Sequence, residues 1–288
     1  MMLRERVKSR ESVMSPLLDS SLIIPTKITG NKKYNFKLVI CGDYLQLYKF
    51  NKDKLKKDIN LEKDKEKNID INYLFKEANY SRKEDKKIIE YKNIMRSKFQ
   101  LQRLVKSNEN VFKTFITLTF KENIKDIKYA NKKFDIWRTK IKSTKKDFLY
   151  VCVPEFQKRG AIHYHLLTNL DIKENPNLII PQNNKKNQYD VKYWSYGFTS
   201  VFAMQDINVV GYISKYMTKD IDNRLWGHRR YLSSRDLIQP IETYLDLDND
   251  LDFVYLLEKI SETNITYKNQ YLDYFGDTID FIEYKNNV

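Results

Sequence analysis

The sequence predicts an α+β fold, with helices laid over an antiparallel sheet. Three observations carry that reading. Between residues 115 and 220 the apolar pattern alternates like a strand in some stretches and recurs at helical spacing in others. The order of those stretches is strand, helix, two hairpin strands, strand, helix. Gly, Pro and Asn clusters mark the breaks between them. Such an order lets one sheet bury its apolar face beneath helices.

Taken in turn, residues 1–35 are polar and Ser-rich and read as a loosely ordered arm. Phe36–Cys41, a Gly42-Asp43 turn and Tyr44–Phe50 form a β-hairpin by alternation and turn chemistry. Residues 51–72 alternate Lys with Asp and Glu, as a solvated linker or exposed insertion would. From Arg82 to Val105 helix formers dominate. Ile88, Ile89, Tyr91, Ile94, Phe99 and Leu101 supply an apolar stripe against a basic face. That basic face suits either a DNA backbone or plain solvent.

Phe115–Phe120 alternates strictly and is a strand whose Thr117 and Thr119 offer hydroxyls to a ligand or to solvent. Tyr129–Ile141 is an amphipathic helix with Phe134, Trp137 and Ile141 at helical spacing. Phe148–Pro154 and Gly160–Leu167 form a hairpin through the turn Gln157–Gly160. Residues 171–190 read as an exposed loop, and Tyr193–Phe202 as a further strand. Val209–Asp220 reads as a helix. In it Tyr212 and Tyr216 are four apart, as are Lys215 and Lys219, so each pair shares one side.

The chain has 3 histidines, and two of them, His163 and His165, sit on one strand. Alternate strand residues share a face, so both imidazoles project together, about 6–7 Å apart along the backbone. A bare His-x-His fits two ordinary strand histidines as well as a metal site. Glu155 tips the balance, because the hairpin turn brings it back beside the pair. Two imidazoles and one carboxylate make a mixed N/O donor set with open positions for a substrate oxygen. Without a thiolate, Mg²⁺ or Mn²⁺ suits that set better than structural Zn²⁺. His228, in Gly227-His228-Arg229-Arg230, reads as a phosphate contact or surface residue rather than a ligand.

The net charge is +14 over 288 residues, but it is uneven. From residue 236 onward 12 acids face 3 lysines, a net of −9, which leaves +23 on residues 1–235. A body that basic, with 3 Trp, 21 Tyr and 15 Phe, suggests a polyanionic partner and stacking surface for bases. An AT-rich coding bias would also enrich lysine. The acidic segment around Asp246, Asp248, Asp250 and Asp252 either recruits a helicase or is a solvated cap. Cys41 and Cys152 fit no metal or redox spacing, which points to buried thiols in a reducing compartment. No stretch reaches the length of a membrane span and the N-terminus lacks a signal-peptide pattern, so a soluble, cytoplasmic protein is expected.

Together these segments resemble the rolling-circle replication initiators of the HUH endonuclease superfamily. The first motif of that family is similar to Phe115–Phe120. The histidine–hydrophobe–histidine motif matches His163-Tyr164-His165, with Glu155 upstream as the additional ligand, and the tyrosine motif matches Tyr212–Lys219. Its doubled Tyr-x-x-Lys form is most similar to the two-tyrosine replication proteins of microvirus-type phages. Trp194–Gly197 and Trp226–Arg235 resemble flanking segments of phage and plasmid initiators.

The resemblance implies a ferredoxin- or RRM-like antiparallel sheet with helices on one face, plus N- and C-terminal extensions. It implies a basic N-terminal region at 1–110, an endonuclease domain at 111–236 and an acidic accessory segment at 237–288. The implied activity is a metal-dependent nickase and strand transferase. Tyr212 or Tyr216 would be the nucleophile, Lys215 and Lys219 would assist, and His163, His165 and Glu155 would hold Mg²⁺ or Mn²⁺. The implied partners are single-stranded or supercoiled origin DNA and a host helicase and polymerase, with no membrane. A non-catalytic single-strand-binding protein, or a transposase or relaxase of the same superfamily, are the alternatives. The position of the tyrosines after the histidines favours replication.

Overall fold

A computed structural model describes residues 32–56, 81–182, 188–204, 210–211, 213, 228–247, 263–272 and 277–286. Expectations for the arm before residue 32, most of the charged stretch after residue 56 and the acidic stretch from residue 248 lie outside these residues.

The chain divides into two compact units. One comprises Met1–Ile69 with Gln239–Val288, the other Asp70–Ile238. The segments expected as separate terminal regions thus fall in one unit. In it β1 (Lys32–Cys41) and β2 (Tyr44–Lys56) form the expected hairpin, with Gly42 at φ 58 in the turn. Three later strands join them: β10 (Ile241–Leu245), β11 (Thr263–Leu272) and β12 (Thr278–Asn286). The order is β10-β1-β2-β12-β11, all antiparallel. Phe36, Leu38, Ile40, Leu45, Leu47 and Tyr284 form its core.

The second unit is an α+β fold. It contains α1 (Ser81–Lys106), β3 (Thr114–Phe120), α2 (Ile127–Thr144), β4 (Tyr150–Phe156) and β5 (Ile162–Thr168). The short β6 (Ile179–Pro181) and β7 (Tyr189–Val191) follow, then β8 (Gly197–Ala203) and β9 (Leu232–Ser233). The sheet order is β6-β7-β8-β3-β5-β4-β9, again antiparallel.

Strand parity separates two cores. Ile116, Leu118 and Phe120 of β3, Ile162, Tyr164 and Leu166 of β5, and Cys152 and Phe156 of β4 pack with Phe134, Trp137 and Ile141 of α2. Asp126 caps α2, its carboxylate accepting from the Lys128 and Tyr129 amides. Phe115, Val151, Val153 and Leu167 point to the other face. There they meet Leu101, Leu104 and Val105 from the end of α1. The sheet therefore carries helices on both faces. A stripe on α1 ending in Leu101, Leu104 and Val105 needs an apolar partner, and the odd-numbered residues of β3 supply it.

Two local expectations change. Residues 171–190 include β6 and β7 rather than loop alone. Tyr193–Tyr196 is a turn, with Tyr193 at φ 71, so the aromatic alternation there does not extend the strand.

Candidate active site

The candidate site is a grid set by strand register. Glu155 of β4 pairs with His163 of β5, which pairs with Thr119 of β3, which pairs with Phe198 of β8. The adjacent same-face row runs Val153, His165, Thr117, Ser200. Directly paired residues share a face, so Glu155, His163 and His165 lie together, as the sequence leads one to expect. The turn that returns the chain is pinned by Gly160 at φ 89 and by Gln157 N–H donating to the Ala161 carbonyl at 2.8 Å.

Both histidines are buried, His163 at 8% and His165 at 6% exposure. Their ring centroids are 6.3 Å apart. His165 is held on three sides. Its Nε2 lies 2.6 Å from Glu155 Oε2, its Nδ1 lies 3.3 Å from Thr117 Oγ1, and Phe115 stacks on the ring at 5.8 Å. With the proton on Nε2, the ring donates to the carboxylate while Nδ1 accepts from the threonine hydroxyl. The stacking of Phe115 and the Thr117 bond are details that the sequence reading missed. The period-2 parity that placed His165 also places Thr117 and Phe115 on its face, so the signal was present.

Among the described residues no group of three or more His, Cys, Asp or Glu side chains converges as a ready metal cage. Glu155 closes on His165, since the two sit within hydrogen-bond reach on adjacent rows. The donor set is nonetheless compatible with a divalent cation. Two ligands at about 2.1 Å on neighbouring octahedral vertices lie about 3 Å apart, close to the separation of this pair. Glu155, His163 and His165 would hold the ion, and their mixed oxygen and nitrogen chemistry suits Mg²⁺ or Mn²⁺.

Tyr212, Lys215, Tyr216 and Lys219 lie outside the described residues. Val210 and Ile213, on either side of Tyr212, are described. Both have helical backbone and are buried in the core formed by Phe115, Val151, Val153 and Leu167. Phe115 is the ring stacked on His165.

Residues 113–221 match the family of the replication-associated protein ORF2. This replication-associated segment begins just before β3 and reaches past Ile213, so it contains every proposed site residue. The Phasyl DNA replicon protein arp of Escherichia coli is 30% identical to this chain over 127 residues. The alignment covers 38% of this chain and 44% of that relative, so the chain spans less than half of the curated relative's length. Both matches support a role in replication. No solved structure matches the chain.

Within the same unit, a cavity of about 1000 Å³ opens beside α2 and β9. Arg138, Lys142, Arg229, Arg230 and Arg235 line it, with Tyr231. His228 also lines it, which places that residue beside arginines and away from the histidine pair. None of the described helices is long and apolar enough to cross a membrane.

Proposed function

We propose that the replication-associated segment is an HUH-type nickase that cuts one strand of origin DNA by a tyrosine nucleophile. One observation carries the reading. Val210 and Ile213, which bracket Tyr212, are buried in the core that includes Phe115, the ring packed on His165. The tyrosine motif is thus tethered to the face that bears Glu155, His163 and His165.

A tyrosine hydroxyl has a pKa near 10 and attacks poorly at neutral pH without help. In the proposed reaction the phenolic oxygen of Tyr212 or Tyr216 attacks the scissile phosphorus in line. A P–O bond to tyrosine forms, the bond to the 3′-oxygen breaks, and the phenolic proton leaves to solvent while the 3′-oxygen gains one. A 5′-phosphotyrosine and a free 3′-OH result, and the 3′-OH can prime a host polymerase. Because the phosphodiester bond is exchanged rather than hydrolysed, the reverse attack re-ligates the strand without ATP. Bound Mg²⁺ or Mn²⁺ would supply charge neutralisation at a non-bridging phosphate oxygen. Thr117 and Phe115 fix the ring of His165, and Lys215 and Lys219 would contact phosphate. Two tyrosines would allow one to hold the parental end while the other cuts the regenerated origin.

The test is incubation of the full chain with a supercoiled replicon and Mn²⁺ or Mg²⁺, followed by mapping of the DNA-linked peptide. The adduct is expected on Tyr212 or Tyr216 and is lost in the Tyr212→Phe, Tyr216→Phe double variant. An adduct that persists in that variant overturns the proposal. The closed Glu155–His165 pair favours a second reading, single-strand binding without cleavage, which absence of any nicked product would support.

A further inference from the structure

The histidine face extends beyond the histidines onto β8, where the residue pattern is unusual. Phe198 and Phe202 lie on that face, in register with Thr119 and Phe115. Phe198 is 68% exposed and Phe202 47%. The opposite face of β8 behaves normally. Val201 is buried, and Thr199 donates to Asp190 at 2.7 Å while accepting from the Val191 amide at 3.1 Å. The strand is therefore anchored from beneath and presents its aromatic rings to solvent on the functional side.

The position of Phe198 is fixed. Thr119 alone separates it from His163, so it lies two strand spacings, or about 10 Å, from that ring's strand. Gly197 lets the backbones of β8 and β3 meet closely, since a Cβ there would stand 2.2 Å from the Thr119 carbonyl oxygen. Exposed lysines flank the column at both ends. Lys121 N–H donates to the Tyr196 carbonyl at 2.9 Å, just before Phe198, and Met204 N–H donates to the Lys113 carbonyl at 2.9 Å, just beyond Phe202. Aromatic rings between cations, in a chain of net charge +14, complement the bases and phosphates of a single strand.

We infer that Phe198 is a stacking platform for a base of single-stranded DNA next to the phosphate at the histidines, with Lys121 taking a neighbouring phosphate. The inference deepens the proposed nickase and rests on it for the identity of the strand. Every base offers a π-face, so such a platform positions the strand without reading its sequence.

Binding in EDTA, where no cleavage intervenes, provides the test. Two fluorescent probes of equal length are used with the full chain: oligo(dT), and a strand of abasic sugar-phosphate units. Phe198→Ala should weaken oligo(dT) binding by about 5- to 150-fold, the range for one base–aromatic stack. Phe198→Trp should restore it, and Phe198→Leu should not. Abasic-strand affinity should be the same in all three, with the melting temperature unchanged. Lys121→Ala should weaken both probes and reduce the salt slope by about 0.7. Equal affinity of Phe198→Ala and the wild type for oligo(dT) overturns the inference. So does an equal loss on both probes, or a change in melting temperature or oligomeric state without a change in binding, because the ring is then covered by protein. Absence of nicking in the wild type would count against the nickase alone, since this measurement involves no cleavage.

Discussion

Glu155 Oε2 and His165 Nε2 meet at 2.6 Å across β4 and β5, one row out of register. That offset lets one carboxylate serve either histidine, since Glu155 is directly paired with His163 while bonded to His165. A divalent cation can enter only by parting the bonded pair, so binding should be visible as stabilisation. Mn²⁺ at about 100 times its Kd should add about 2.7 kcal/mol, raising the melting temperature of the replication-associated unit by about 5–10 °C. Glu155→Gln and His165→Ala should abolish that rise, whereas Tyr212→Phe should keep it. A calorimetric scan with and without Mn²⁺ decides the matter, and an undiminished rise in Glu155→Gln removes Glu155 from the ligand set.

Gly197→Ala should be among the most damaging single-atom-scale changes to the sheet. The added methyl would press on the Thr119 carbonyl oxygen and on the Lys121 amide nitrogen, 2.2 and 2.4 Å away, and both are backbone. Relief requires β3 and β8 to separate, at a cost of about 1–3 kcal/mol or more. Urea unfolding should show a lower midpoint, and single-strand binding should weaken with it.

Trp137 is wholly buried between Phe134, Phe148 and Trp194, with Nε1 donating to the Lys192 carbonyl at 3.0 Å. Trp137→Ala removes the largest side chain beneath the sheet and orphans that carbonyl. A loss of about 3–5 kcal/mol is expected from chemical denaturation. Trp137→Phe should lose clearly less.

Burial pushes the phenol of Tyr150 up to about 12, the nearby Arg138 opposing it, and pushes Tyr164 higher still. Tyr164 also donates to Asn131 Oδ1 at 2.7 Å. The folded chain therefore holds these protons more tightly than the unfolded one. The resulting stability is complete below about pH 10 and is lost as pH rises through about 12. Melting temperatures measured from pH 9 to 12 should fall, and Tyr150→Phe should flatten the fall.

Much of the site was legible in the sequence because its logic is local. The parity of His163 and His165, the tight turn ending at Gly160 and the alternation of Phe115–Phe120 each involve neighbours within a few residues. Register then follows from the hairpin. What local pattern could not encode is partner choice at long range. Nothing in Phe36–Cys41 announces Ile241–Leu245 as its neighbour. The odd residues of β3 looked solvent-directed because their cover, Leu101 to Val105 and Val210 with Ile213, comes from distant elements. At Tyr193–Tyr196 the reading failed for another reason. Trp194 and Tyr196 pack as a turn on Phe120, and Trp194 Nε1 donates to the Thr119 carbonyl at 3.1 Å, so aromatic content served tertiary packing rather than a strand.

The replication-associated unit is inserted between the two halves of the other sheet, and β2 finds its second neighbour only in β12. On a ribosome, the hairpin of β1 and β2 would emerge first and wait with both outer edges unsatisfied until some two hundred further residues had been made. The inserted unit has all its strands in hand before then and can fold first. Nascent chains stalled before Ile241 should therefore carry a competent histidine face beside an exposed, adhesive hairpin.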